Sequence, residues 1–126
     1  MGTKRPRPVV LDAGALIAVD RADRRVIRLL ELAQDIHVPA GALAQAWRNP
    51  ARQVRLARVV SSDGVVIHPL DAAGARAAGQ LCAATATGDV IDASVVLVAH
   101  VVNGVTVTTD SDDLRRLDPS IDLVRC

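Results

Sequence analysis

Residues 9–18 constrain the fold of this chain more than any other stretch. The apolar run Val9-Val10-Leu11 ends in Asp12, and small residues then lead into the apolar spacing of a helix. This pattern predicts a buried strand followed at once by a helix, with Asp12 at the carboxyl end of the strand. Ligands of parallel α/β sheets bind beyond the carboxyl ends of the strands, so chemistry is expected at Asp12. The same carboxylate would also serve as the N-cap of the helix.

The rest of the chain alternates predicted strands with predicted helices. The further strands are expected at about 36–38, 65–67, 105–108 and 121–124. Such alternation predicts a three-layer α/β/α sandwich with a parallel sheet of about five strands. The chain has 126 residues, which predicts a single domain over 1–126, with residues 1–7 as a flexible basic lead-in.

Composition excludes several classes of protein. Cys82 and Cys126 are far apart and belong to no Cys/His spacing, which favours a reducing cytoplasm over a disulfide scaffold or a zinc site. No apolar run approaches the roughly 18 residues that a membrane span requires, so no membrane partner is expected. The apolar run after the basic N-terminus is interrupted by Asp12 and does not fit a signal peptide. Phosphotransfer domains usually need a late lysine, and none follows Lys4.

Two further groups of acids stand where predicted elements begin. Asp89 and Asp92 open one helix three residues apart, so their side chains share a face and repel each other. Asp89 is expected mainly to cap this helix, whereas Asp92 borders its apolar face and is the better candidate ligand. Asp110, Asp112 and Asp113 follow the fourth predicted strand, and three acids exceed what capping a helix needs.

These carboxylates predict a site for a hard divalent cation. Oxygen ligands without Cys or suitably spaced His select Mg²⁺ or Mn²⁺. Such ions activate water and neutralise phosphoryl oxygens, so phosphodiester hydrolysis is the expected reaction class. Asp12 and Asp110 share one sheet edge if their strands are neighbours, but no general rule places the start of the Asp92 helix there. His37 and His68 lie in or beside strands, where a structural role is expected.

The acidic motifs resemble those of a known family. They are Val-Leu-Asp12-Ala, Gly88-Asp89-Val-Ile-Asp92-Ala and Val-Thr-Thr-Asp110-Ser-Asp112-Asp113-Leu. Their order and spacing, from about Val9 to Val124, are similar to those of PIN-domain nucleases, and most of all to VapC-type toxins of bacterial toxin–antitoxin pairs. The resemblance implies a five-stranded parallel sheet, Mg²⁺- or Mn²⁺-dependent cleavage of RNA, a homodimer and a cognate antitoxin.

The resemblance also implies roles for individual residues. Asp12, Asp92 and Asp110 would meet in one pocket as catalytic and metal-binding residues, with Asp89, Asp112 and Asp113 as secondary contributors. The family usually carries a glutamate on the helix after the second strand, where this chain has Gln45. A glutamine offers a neutral oxygen and no charge. Two functions therefore stay open, a metal-dependent endoribonuclease and a catalytically weakened PIN-like module that binds RNA or an antitoxin without cleaving.

The chain also carries a run of spaced arginines. Arg48, Arg52, Arg55 and Arg58 step by four, three and three residues, and a helix is predicted to restart at Asn49-Pro50. The arginines of that helix would lie on one face. With the basic edge at residues 21–28, they form either an ordinary solvated face or a path for RNA or an antitoxin.

Overall fold

A computed structural model describes residues 6–126 and confirms the parallel α/β architecture. The strands are β1 (Val9–Leu11), β2 (Ile36–Pro39), β3 (Val65–His68), β4 (Val105–Thr108) and β5 (Leu123–Arg125). The helices are α1 (Ala13–Asp20), α2 (Arg24–Leu32), α3 (Ala40–Ala46), α4 (Val54–Val60), α5 (Ala72–Thr85), α6 (Val90–Val102) and α7 (Ser111–Leu117). The sheet order is β3-β2-β1-β4-β5, and every neighbouring pair is parallel.

The two faces of the sheet are covered by different helices. Pro39 and His68 line a cavity with residues of α6, whereas Ile67 lines one with residues of α3 and α4. The core between these layers is aliphatic, and its largest fully buried side chains are Leu11, Leu16, Leu56 and Leu114. The chain has no Phe or Tyr, so branched aliphatic side chains and alanine fill the interior. The predicted three-layer sandwich is therefore present.

The structure describes only the last part of the predicted N-terminal lead-in, residues 6 and 7. Residues 1–5 of the expected flexible lead-in fall outside the described residues. Arg7 is attached to the fold, because its Nη1 donates to Asp122 Oδ2 at 2.7 Å. Within residues 6–126, no single helix is long and apolar enough to cross a membrane, although α5 and α6, bent by 107° at their junction, pass that test together.

Aspartates set the beginning of several helices. Asp23, Asp71 and Asp89 each accept backbone N–H groups at the start of α2, α5 and α6. Such caps satisfy N–H groups that have no partner within the helix. At its other end, α6 stops at Asn103 in the left-handed conformation, with φ 53°. Of these helix ends, the cap at Asp89 was predicted from the sequence.

The helix predicted to restart at Asn49-Pro50 was wrong, because α4 begins only at Val54. Side-chain amides occupy the backbone groups that a longer helix would use. Gln53 Oε1 accepts from the backbone N–H groups of Arg48 and Asn49 at 2.8 and 3.0 Å, and Asn49 Oδ1 accepts from Ala51 N–H at 3.0 Å. Of the four spaced arginines, only Arg55 and Arg58 lie on α4, so the predicted helical stripe does not form.

Two histidines join neighbouring strands. His37 Nδ1 on β2 lies 2.6 Å from His68 Nε2 on β3, and His37 Nε2 lies 2.9 Å from Asp35 Oδ1. Burial lowers the pKa of His68, and the neighbouring His37 acts in the same direction. The contact agrees with the structural role expected for both histidines.

The end of α5 generates a stability prediction. Ala86 caps this helix with φ 55° and ψ 40°, a left-handed conformation that glycine adopts without steric cost. Ala86→Gly should raise the free energy of unfolding by about 0.5–1 kcal/mol. The matched control is Ala75→Gly, at an exposed position inside α5, which should lower it by about 1 kcal/mol. Urea unfolding checks both, and a loss of stability in Ala86→Gly would contradict the assignment of this cap.

Candidate active site

Asp12 lies where β1 ends and α1 begins, with 6% of its surface exposed. Its Oδ1 accepts the Ala15 backbone N–H at 2.8 Å, which makes it the N-cap of α1. Its Oδ2 accepts the Thr108 hydroxyl at 2.5 Å. Burial raises the pKa of Asp12, although both hydrogen bonds act in the opposite direction. The carboxylate is therefore fixed at both oxygens, and each oxygen keeps a second lone pair.

Thr108, the last residue of β4, connects two of the acids. Its side chain is fully buried, and its Oγ1 accepts the Asp110 backbone N–H at 2.9 Å while donating to Asp12. This hydroxyl holds the start of the β4–α7 loop against the end of β1. Sequence reasoning missed Thr108, because a threonine in a β-branched run is explained by strand propensity alone. Its position two residues before an aspartate was the available signal.

Asp89 and Asp92 stand at the start of α6. Asp89 Oδ1 accepts the N–H groups of Ile91 and Asp92, both at 3.0 Å, as the capping interpretation predicted. Asp92 is partly buried, and this burial raises its pKa to about 7. The negative charges of Asp89, Asp12 and Asp113 contribute in that order. The pKa of Asp92 is thus raised by acids at the start of its own helix, at the start of α1 and on α7. The start of α6 therefore lies near the sheet edge that carries Asp12.

The acids after β4 form the remaining part of the cluster. Asp110 is exposed and caps α7, with its Oδ1 3.5 Å from the Asp113 backbone nitrogen. A side-chain hydrogen bond with Asp110 and the negative charge of Asp110 raise the pKa of Asp113. Arg116 Nη1 donates to Asp113 Oδ1 at 3.0 Å. Sequence reasoning also missed Arg116, because it belongs to none of the acidic motifs.

A polar cavity of about 260 Å³ opens between α6 and α7. Its lining residues are Ala86, Thr87, Gly88, Asp89, Asp92, Asp113, Arg116 and Leu117. Three carboxylates face this space together with one guanidinium, so the cavity carries excess negative charge. Within residues 6–126, however, no three Asp, Glu, His or Cys side chains lie close enough, as they stand, to hold a metal ion.

Four of the predicted site residues do not line this cavity. Asp12 and Asp110 are absent from its lining and are connected to each other through Thr108. Asp112 is exposed on α7 and does not line it. Gln45 is exposed on α3 and does not line it either. The remaining acids are linked in pairs: Asp12 to Asp110 through Thr108, Asp110 to the Asp113 backbone, and Asp92 by charge to Asp89, Asp12 and Asp113.

Gly14 allows helix α1 and the β4–α7 loop to lie close together. A Cβ added at Gly14, in the first turn of α1, would lie 2.0 Å from Thr109 Oγ1. Thr109 Cβ and Cγ2 would lie at 3.1 and 3.3 Å, so a side chain at position 14 would require the exposed Thr109 side chain to rotate and shift. Gly14 therefore lets Thr109, one residue before Asp110, pack directly against the first turn of the helix that Asp12 caps.

Solved structures with this fold cover almost the whole chain. VapBC2 from Rickettsia felis, bound to a promoter DNA fragment, has a TM-score of 0.70 at 17% identity and covers 94% of this chain and 98% of its own. VapC20 from Mycobacterium tuberculosis has a TM-score of 0.68 at 15% identity, with coverage of 94% and 99%. FitAcB from Neisseria gonorrhoeae has a TM-score of 0.60 at 14% identity, with coverage of 91% and 95%. These similarities establish a shared fold.

Comparison with sequences gives one family. No curated protein matches the chain significantly. The family model of the PIN domain matches residues 9–119, which include all of the acids described above. The chain therefore belongs to the PIN domain family.

Proposed function

We propose that this protein is an Mg²⁺- or Mn²⁺-dependent endoribonuclease and the toxin of a toxin–antitoxin pair. The observation that carries the proposal is the unbalanced charge of the site. Burial raises the pKa of Asp92 to about 7, and the negative charges of Asp89, Asp12 and Asp113 act in the same direction. Arg116 is the only cationic side chain lining the adjoining cavity among residues 6–126. A divalent cation would offset that charge, and carboxylate oxygens are the ligands that Mg²⁺ and Mn²⁺ prefer.

The proposed roles follow from the position of each acidic side chain and from how tightly that side chain is held. Asp12, Asp92 and Asp110 are the metal ligands and catalytic residues, with Asp89 and Asp113 beside them, and Asp112 and Gln45 as more distant contributors. A bound Mg²⁺ or Mn²⁺ would supply charge that activates water and neutralises a phosphoryl oxygen. Asp12 is oriented by Ala15 and Thr108, whereas exposed Asp110 is held more loosely, with its Oδ1 3.5 Å from the Asp113 backbone nitrogen. Small side-chain rotations would thus complete a set of ligands from these acids.

Substrate and partners are proposed from the relatives together with the site. VapC20 is described as a sarcin–ricin loop cleaving toxin, which supports RNA as the substrate. VapBC2 was solved with a DNA fragment from its own promoter, which supports a gene-regulating complex with a cognate antitoxin. Exposed Leu70 and Val101 flank an apolar cavity and support a homodimer. The free thiols of Cys82 and Cys126 support a cytoplasmic location.

Asparagine variants test the three proposed ligands. Asp12→Asn, Asp92→Asn and Asp110→Asn each keep the shape but remove a negative charge. Each should weaken Mn²⁺ binding by about 10- to 100-fold, in line with the roughly 1.5–3 kcal/mol of a charge-assisted contact, and lower RNA cleavage with it. Calorimetric Mn²⁺ titration and cleavage of a labelled RNA measure the two effects. The control is Asp63→Asn, in an exposed turn before β3. If all three variants matched this control, the assigned ligands would be wrong.

The raised pKa of Asp92 predicts an inverted pH dependence of stability. Because its pKa is about 7 in the folded protein, against an ordinary value of 3.8 for an aspartate, folding favours the protonated acid. Its contribution is complete below about pH 4 and is lost as the pH rises through about 7. In EDTA at pH 8, Asp92→Asn should therefore stabilise the protein by about 1–2 kcal/mol, after discounting for the partly exposed side chain.

Urea unfolding at pH 4 and pH 8 measures this difference. At pH 4 parent and variant should be equally stable, because Asp92 is then protonated. Adding Mn²⁺ at pH 8 should stabilise the parent more than the variant. An equal loss of stability in Asp92→Asn at both pH values would show instead that the substitution only disturbs packing.

A second candidate function is an RNA- or antitoxin-binding module that cleaves weakly or not at all. The observation in its favour is the neutral Gln45, exposed on α3. Gln45→Glu should tighten Mn²⁺ binding by about 1–3 kcal/mol and raise cleavage at limiting metal. The matched control is Gln80→Glu, an exposed glutamine on α5. Cleavage seen only in Gln45→Glu would favour the weakened module. Equal Mn²⁺ affinity in parent and Gln45→Glu would show that residue 45 does not face the ion.

A further inference from the structure

We propose that Arg116 binds the phosphodiester group that enters the acidic cavity, which makes it a substrate-binding residue of the proposed nuclease. The inference rests on the proposed function and extends it to a residue outside the acidic motifs. It starts from the position of Arg116 as the one cationic side chain, among the described residues, that lines the cavity with Asp89, Asp92 and Asp113.

Helix α7 directs Arg116 toward the cavity. Leu114 and Leu117 are buried and fix the orientation of the helix. Residues three apart share a flank of a helix, so Asp113 and Arg116 lie on one flank. Asp112 and Arg115 form a second pair with the same spacing, are exposed, and do not line the cavity. The short helix therefore carries one arginine at the site and one away from it.

Asp113 holds Arg116 without using up its donors. The bond from Arg116 Nη1 to Asp113 Oδ1, at 3.0 Å, engages one of the five N–H groups of a guanidinium. The Arg116 side chain is 69% exposed, so the rest of its donor surface is accessible. A guanidinium bound to a carboxylate on one side can still present two parallel N–H groups to phosphate oxygens on the other.

The negative charge of the site explains why a bound phosphate would need a cationic donor there. RNA carries a negative charge at every phosphate, and the cavity is lined by three carboxylates. A divalent cation held by the acids would neutralise part of that charge and one phosphoryl oxygen. A second phosphate oxygen still requires a donor, and a guanidinium matches phosphate geometry better than an ammonium does. Arg116 is placed to donate to it.

The experiment compares Arg116→Ala, Arg116→Lys and the matched control Arg115→Ala. Arg116→Ala should lower kcat/KM for a labelled RNA by about 100-fold, the effect typical of removing one donor to a developing charge. Arg116→Lys should recover only part of this loss. With Ca²⁺ replacing Mn²⁺, RNA affinity measured by fluorescence anisotropy should depend less steeply on salt in Arg116→Ala, by about 0.7 in the logarithmic slope. Arg115→Ala should behave as the parent.

Mn²⁺ titration separates substrate binding from a structural role. If Arg116 contacts RNA, its removal should leave Mn²⁺ affinity unchanged or make it tighter, because a neighbouring positive charge is lost. A parallel loss of Mn²⁺ affinity and cleavage would mean that Arg116 only positions Asp113 and would overturn the inference. Equal behaviour of Arg116→Ala and Arg115→Ala would also overturn it. A parent that cut no RNA would refute the proposed nuclease, while the salt slope would still decide the role of Arg116.

Discussion

The parallel pairing of β1 with β4 is the constraint on which the site depends. Leu11 pairs with Val107, so the next residues, Asp12 and Thr108, lie side by side at the carboxyl edge of the sheet. A shift of this register by one residue would turn Thr108 to the opposite face of the sheet. The hydroxyl that orients Asp12 and holds the Asp110 loop would then be lost. The geometry of the acids is therefore a direct consequence of the hydrogen-bond pattern of the sheet.

The folded chain tolerates this concentration of negative charge because three helices begin there. Asp12, Asp89 and Asp110 cap α1, α6 and α7, and the N-terminus of a helix carries a partial positive charge. Capping thus offsets part of the repulsion that the acids create. Asp92 lies in the first turn of α6, and its side chain accepts no backbone N–H group in the described structure. The remaining repulsion and the cost of burial fall most visibly on this residue.

The helices and strands were predicted from the sequence better than the way in which they pack against one another. Short β-branched runs located all five strands, and single aspartates located the starts of several helices, because both signals act over a few residues. The prediction of a helix from Asn49 to Gln53 was wrong because two side-chain amides bind backbone groups that a helix would otherwise pair. The position of Asp92 relative to Asp12 depends on how α6 crosses the sheet, which no local sequence pattern predicts. Only the resemblance to PIN domains led to the expectation that the two acids lie near each other. Arg116 was missed because its position beside the cavity is apparent only in the fold.

The close contact at Gly14 has a consequence for how such a site can vary. A side chain at this position would meet Thr109 Oγ1 at 2.0 Å, so a change at position 14 requires a compensating change in the Thr109 side chain, one residue before Asp110. Diversity enters more easily at positions whose side chains project freely, such as exposed Gln45 and Asp112. A library that randomises those two positions and leaves Gly14 unchanged would sample new behaviour on an intact scaffold. A library that includes Gly14 would have to vary Thr109 together with it.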